Sequence, residues 1–182
     1  MVAWLRNNVV ARWILTVVRI WIGYQWISGS LDKLGSPVWT GSKAGVAITG
    51  FLTHAVSLAH GPHAAVQGWY ASILTGFAIP SAGFMSYLIS FGELLIGIAL
   101  IVGGLTTFAA MMGMILNFSY LLAGTVSTNP NMIIFEIFLV VAGFNAGFYG
   151  LDYWIIPWFR KALHYEFHIS SGIKGGGTKA NN

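Results

Sequence analysis

Four stretches of the chain stay apolar for about 20 residues, the length at which a helix crosses a bilayer. They run roughly over 13–31, 82–102, 105–125 and 131–150. The second begins after Pro80-Ser81, a tight Gly103-Gly104 turn separates it from the third, and "STNPN" leads into the fourth. Connections this short favour antiparallel neighbours. The pattern predicts an all-α membrane protein: a four-transmembrane-helix antiparallel bundle forming one domain over 1–159, followed by a polar tail over 160–182.

The long segment between the first two spans, 32–81, carries a different periodicity. "GVAITGFLTHAVSLAH" puts Ile48, Leu52, Ala55, Val56 and Ala59 on one helical stripe. "VQGWYASILTGFAIP" puts Val66, Trp69, Tyr70, Ile73 and Phe77 on another. Both pieces are shorter than a span, so two amphipathic outer-loop helices are predicted, turning at Gly61-Pro62 and lying on the membrane or over the bundle.

Composition agrees with a bilayer as solvent. The chain is 56% hydrophobic and 8% charged, against about 25% charged in soluble domains. A net charge of +4 spread without a basic run argues against nucleic acid as a partner. Arg6 and Arg12 precede the first span, and Arg160, Lys161, Lys174 and Lys179 follow the fourth. Only Lys33 and Lys43 fall in the long loop. The positive-inside rule then places both termini in the cytoplasm and the loop outside a plasma membrane. No signal-cleavage site follows the first apolar run, so the first helix reads as a retained anchor.

With no cysteine, thiol relays and Cys-held iron–sulfur clusters are excluded. No histidine falls in a span, which excludes a bis-His haem there. His54, His60 and His63 cluster in the outer loop without nearby carboxylates, which makes a poor ligand set, so no metal is expected.

Ionisable groups inside a span are costly and are functional candidates by default. Here they are Arg19, Glu93 and Glu136, with Asn117 as the uncharged addition. Counted from the outer ends of their helices, Arg19 and Glu93 lie roughly 18 and 16 Å deep at 1.5 Å per residue. A shared depth predicts an Arg19–Glu93 ion pair. Arg19, Trp26 and Lys33 are spaced by seven, so they share a face of the first helix. Each polar residue also shares a stripe with glycine: Gly23 beside Arg19, Gly97 beside Glu93, Gly113 and Gly124 beside Asn117, Gly143 and Gly147 beside Glu136. Small residues let helices approach closely. The expected result is an outward-opening polar column at the bundle centre, able to draw in a small anion.

The series Arg19, Gly23, Gly29, Lys33 resembles the first-helix pattern of the DoxX/DoxD membrane-protein family. "GELLIGIALIVGGLTT" resembles that family's second-helix signature, and "GTVSTNPNM" resembles the DoxD approach to the fourth helix. The likeness covers about residues 10 to 155. It implies the four-helix bundle and, for the DoxD type, the membrane subunit of a thiosulfate:quinone oxidoreductase. Such an enzyme oxidises thiosulfate to tetrathionate and reduces a membrane quinone, in some cases with a small partner subunit. On that implication Arg19, Glu93 and Glu136 would be the catalytic groups, with Arg19 and Lys33 binding the oxyanion and the glutamates handling protons. Trp26, Lys33, Asn117 and Tyr120 would line the substrate or quinone site. The competing expectation is a non-enzymatic module that binds a lipid or small molecule, or scaffolds a soluble redox partner. An anion transporter is disfavoured by the lack of inverted repeats and Pro-broken helices. Glycine-rich helix faces are compatible with a homo-oligomer.

Overall fold

The computed structural model describes residues 1–162, and these are mostly helical, with no strand among them. Short α1 (Val2–Asn7) leads into long α2 (Val9–Leu34), whose start is capped by the Asn8 side chain accepting from the Val10 and Ala11 amides. After α2 come α3 (Pro37–Thr40), α4 (Val46–Ser57) and α5 (Gly68–Ile73), the last continued by a π-helical turn, Leu74–Ala78. Then follow α6 (Ala82–Val102), α7 (Thr106–Leu122), α8 (Asn129–Ala142) and one-turn α9 (Phe144–Gly147). A final helical run occupies 152–162. The predicted tail lies outside the described residues from 163 onward.

One helix, α6, is long and apolar enough to cross a membrane, with mean hydropathy 2.0. The apolar helices α7 and α8 are shorter, at 17 and 14 residues. The first predicted span lies within α2, which runs past it at both ends and carries Arg12, Arg19, Asp32 and Lys33. The fourth predicted span does not run to residue 150. Gly143, at φ 58° and ψ −126°, stops α8, and the chain resumes as α9. That conformation suits glycine and cannot continue a helix.

The tightest packing joins α2 to α6 and α7 to α8. In the first pair Gly23 faces Gly97: a Cβ added at Gly23 would lie 2.9 Å from the Gly97 carbonyl oxygen, and one at Gly97 2.8 Å from that of Gly23. These two glycines set the crossing, as small-residue stripes do in helix pairs. The other stripes work differently. A side chain at Gly143 would meet nothing within 4 Å, Gly147 makes room for Asp152, and Gly124 lies beyond α7 in a left-handed turn at φ 82°.

The segment between α2 and α6 folds down against the bundle. Ser86 and Tyr87 on α6 donate hydrogen bonds to the Trp39 and Thr40 carbonyls. Ile48, Leu52 and Ala55 are buried as the first stripe predicts. In the second stripe Val66 is buried and Tyr70 half-buried, but Trp69, Ile73 and Phe77 are exposed, and Ala71, Leu74 and Ala78 are buried instead. "WYASILTGFA" is apolar on nearly every face, so periodicity could not choose one. The small Ala71 and Ala78 allow the closer approach and take the inner side.

Candidate functional site

Charged and amide groups are buried among the apolar core residues, while the outside is apolar. Arg19, Glu93, Glu136, Asp152, Asn117 and Asn145 are all 2% exposed or less. The face of α6 turned away from them carries exposed Phe84, Leu88, Phe91, Leu95 and Ile98. This inverts the usual arrangement of soluble proteins.

Three polar clusters are built inside. At the end of the molecule that carries 35–81, Lys33 forms an ion pair with Glu93, and the Tyr120 hydroxyl donates to the other Glu93 oxygen. The Lys33 ammonium also lies 5.4 Å from the Trp39 ring and 6.0 Å from that of Tyr120. Midway along, the Trp26 indole donates to Glu136 at 3.0 Å and the Asn117 amide donates to its other oxygen at 2.9 Å. Gly113 leaves the space in which that carboxylate and indole meet. The Asn117 side-chain oxygen is buried without a partner.

The third cluster, at the opposite end, holds Arg19. Its guanidinium lies against Gly103 and Gly150 and donates to the Tyr149 carbonyl at 3.1 Å. Its Nε and Nη1 have no hydrogen-bond partner. The carboxylate whose charge acts on it is Asp152. Asp152 also accepts from the Leu105 and Thr106 amides at 2.6 and 2.9 Å, capping α7 and placing negative charge at its N-terminus.

The Arg19–Glu93 pair predicted from depth is therefore replaced by two separate clusters. Helical side chains lean toward their own N-terminus. Gly23 faces Gly97 on antiparallel α2 and α6, so Arg19 and Glu93, each four residues before its glycine, lie on opposite sides of the crossing, about 12 Å apart in depth, and their lean separates them further. Lys33, two heptads further along α2, leans toward Glu93 and takes the place assigned to Arg19. The expected column fails for the same reason, because its two cations sit at opposite ends and Lys33 is already neutralised. The 19, 26, 33 stripe does face inward as one line, and Trp26 joins Glu136 and Asn117.

Two further residues matter, one of them, Asp152, already among the ionisable groups that the sequence places near the membrane interfaces. Asn145, flanked by apolar residues within "GFNAG", accepts from Arg12 at 2.8 Å and donates to the Leu5 and Asn8 carbonyls. It ties α1 to α9, and an amide between two glycines in an apolar run was its only signal. Asp152 is the second, visible in sequence only as an acid near a span end.

Beside the Lys33–Glu93–Tyr120 cluster lies a cavity of about 750 Å³ between α6 and α7, roofed by α4, α5 and the π turn. Trp39, Phe51 and Tyr120 line one end and Ala99, Leu105 and Phe108 the other. Its wall is almost wholly apolar. Leu88, Leu95, Phe108 and Ile115 line it and are each more than half exposed, so it opens sideways between the helices. Trp26, Asn117 and Glu136 do not line it. His54, His60 and His63 are exposed. Among the described residues no three His, Asp or Glu side chains converge as metal ligands.

No protein-family model, curated protein or solved structure matches the chain.

Proposed function

We propose that the chain is a four-span membrane protein with both termini in the cytoplasm, and that it binds a membrane quinone in the cavity between α6 and α7. The observation that carries the quinone reading is the junction of an apolar, sideways-opening cavity with Tyr120, itself bonded to Glu93 and Lys33. A quinone has the same two parts, an apolar body soluble in the bilayer and a ring with two carbonyl oxygens that need a donor. Tyr120 supplies that donor when its single hydroxyl hydrogen turns from Glu93 to the ring, with Lys33 still paired to the Glu93 carboxylate. Glu93 and Lys33 hold the proton-carrying groups next to it, where reduction of the ring calls for two protons. Trp39 and Phe51 offer faces for the ring.

The four-span reading is supported by the apolar outward faces of α2, α6, α7 and α8 around buried charged and amide groups, with broken α8 and short α7 extended by flanking turns. The absence of native cysteine makes topology directly testable. Single cysteines at Ser57, Ser127 and Lys161 should label from opposite sides: the first two from outside, the third from the cytoplasm. Labelling of all three from one side overturns the topology.

The DoxD resemblance names the electron donor: thiosulfate, or a related small sulfur oxyanion. Two thiosulfates joined through a new S–S bond give up two electrons, and the quinone takes these with two protons. Lys33, paired with Glu93 next to the Tyr120 end of the cavity, is the cation nearest that chemistry. A second reading, a non-enzymatic lipid-binding module, is favoured by one observation: Arg19, the best oxyanion ligand in the sequence, does not line the cavity. Purified protein in nanodiscs separates the two. Wild type should bind a quinone and reduce it when thiosulfate is added, and Tyr120→Phe should weaken binding about tenfold, the value of one buried hydrogen bond. Quinone binding without thiosulfate-dependent reduction, with any partner subunit supplied, leaves the binding module. No quinone binding removes the redox reading.

A further inference from the structure

The quinone reading concerns a ring beside Tyr120, yet the cavity extends far beyond any ring. From Tyr120 to Leu105 it follows α7 for fifteen residues, about 22 Å at 1.5 Å per residue. Along that length the wall is Leu, Ile, Met, Phe and Ala, with no charged side chain. We infer that the cavity is a tail-ordering groove: it takes a polyisoprenoid chain extended along α6 and α7, running from the Tyr120 end toward Ala99, Leu105 and Phe108.

Three observations point to a chain rather than to several small molecules. The only polar cluster adjoining the cavity is at one end, which fits a ligand with one head. The cavity is elongated and opens sideways along exposed Leu88, Leu95 and Ile115, so a tail can enter from the side without its head leaving the bilayer interface. Gly92 lines the cavity next to Glu93 in sequence, and a Cβ there would meet nothing within 4 Å. Helix packing therefore does not need that glycine, but an occupant passing from the head end into the groove does. A branched chain also suits the irregular wall of Met85, Ile89 and Met112 better than a straight one. Since lipid and groove are equally apolar, tail selectivity must come from fit rather than from removal of water.

This inference rests on the head group sitting at Tyr120, and the experiment separates the two. Binding to the purified protein in nanodiscs is measured for a tail-less quinone, a long-tailed quinone and a polyprenyl alcohol without a ring. The long-tailed quinone should bind about tenfold tighter than the tail-less one. Ala99→Phe, which fills the far end away from Tyr120, should erase that advantage while leaving tail-less binding unchanged, and Gly92→Leu, which has space to fold, should erase it too. Equal binding of both quinones to wild type overturns the groove and keeps the head site. Binding of the prenyl alcohol alone, sensitive to Ala99→Phe, keeps the groove and overturns the quinone reading. No binding of any of the three overturns both.

Discussion

Two inward-facing cations, Lys33 partly exposed and Arg19 buried, are held in opposite ways. Lys33 is paired with the Glu93 carboxylate, which has Tyr120 on its other oxygen, and the Trp39 ring lies nearby. Arg19 is buried more deeply, at 1% exposure, and has a single hydrogen bond, to a backbone carbonyl. Its nearest carboxylate directs both oxygens to the α7 amides. The first arrangement is side chain on side chain and adjoins a cavity. The second is a side chain wedged between two glycine backbones. Burying a charge is costly in either case. One site lowers that cost by pairing and the other by letting backbone come close.

The wedge is the easier of the two to break. A Cβ at Gly103 would overlap the Arg19 guanidinium, and the residue sits at φ 67°, where a side chain is strained. Gly103→Ala should destabilise the protein by about 3 kcal/mol or more, near the upper end for a single substitution. Thermal unfolding in detergent measures it. Adding Arg19→Ala should recover part of the loss, leaving the backbone strain alone. A Gly103→Ala protein as stable as wild type would mean that the guanidinium is free to move, and the contrast between the clusters would vanish.

This difference also marks what the residues could and could not say. The all-helical fold and the extent of α6 follow directly from hydropathy, since a 21-residue apolar run has few alternatives. The inward stripe of Arg19, Trp26 and Lys33 follows from seven-residue spacing. Partner choice was not legible, because the depth count assumed level helix ends, whereas the Gly23–Gly97 contact sets α2 and α6 several residues out of step, and side-chain lean adds to the offset. The wedge was illegible for a related reason. It depends on Gly103 and Gly150, 47 residues apart, meeting where Leu151 and Asp152 bond back to Val102 and Gly103. The break at Gly143 looked like a packing glycine because spacing alone does not distinguish close approach from positive φ.

Removing each cation sharpens the comparison at a smaller scale. Lys33→Met leaves Glu93 buried with a lone phenol for company, and should cost about 2–3 kcal/mol. Arg19→Met removes a charge that is poorly paired, keeps much of its volume, and leaves Asp152 bonded to α7. It should change stability by less than about 1 kcal/mol, because an apolar replacement of an ill-satisfied buried ion is often neutral. Denaturation of both variants under one condition tests the ordering. The reverse ordering would show that Arg19 is the better-satisfied cation.

The smallest effect is expected at Gly29, which lies between the two cations in sequence and belongs to the Arg19–Gly23–Gly29–Lys33 series. Gly23 has a clear task against Gly97, and a methyl there would collide with Ile101 at 2.8 Å. At Gly29 an added Cβ would meet nothing within 4 Å, and the residue sits in the middle of α2. Nothing within the chain requires glycine there, and alanine forms helix better. Gly29→Ala should therefore raise stability by up to about 1 kcal/mol, through helix propensity alone. Quinone binding should be unchanged, since Gly29 does not line the cavity. Loss of stability would instead place Gly29 against something beyond this chain, a second copy or a partner subunit, and loss of binding alone would tie the α2 stripe to the cavity through Lys33.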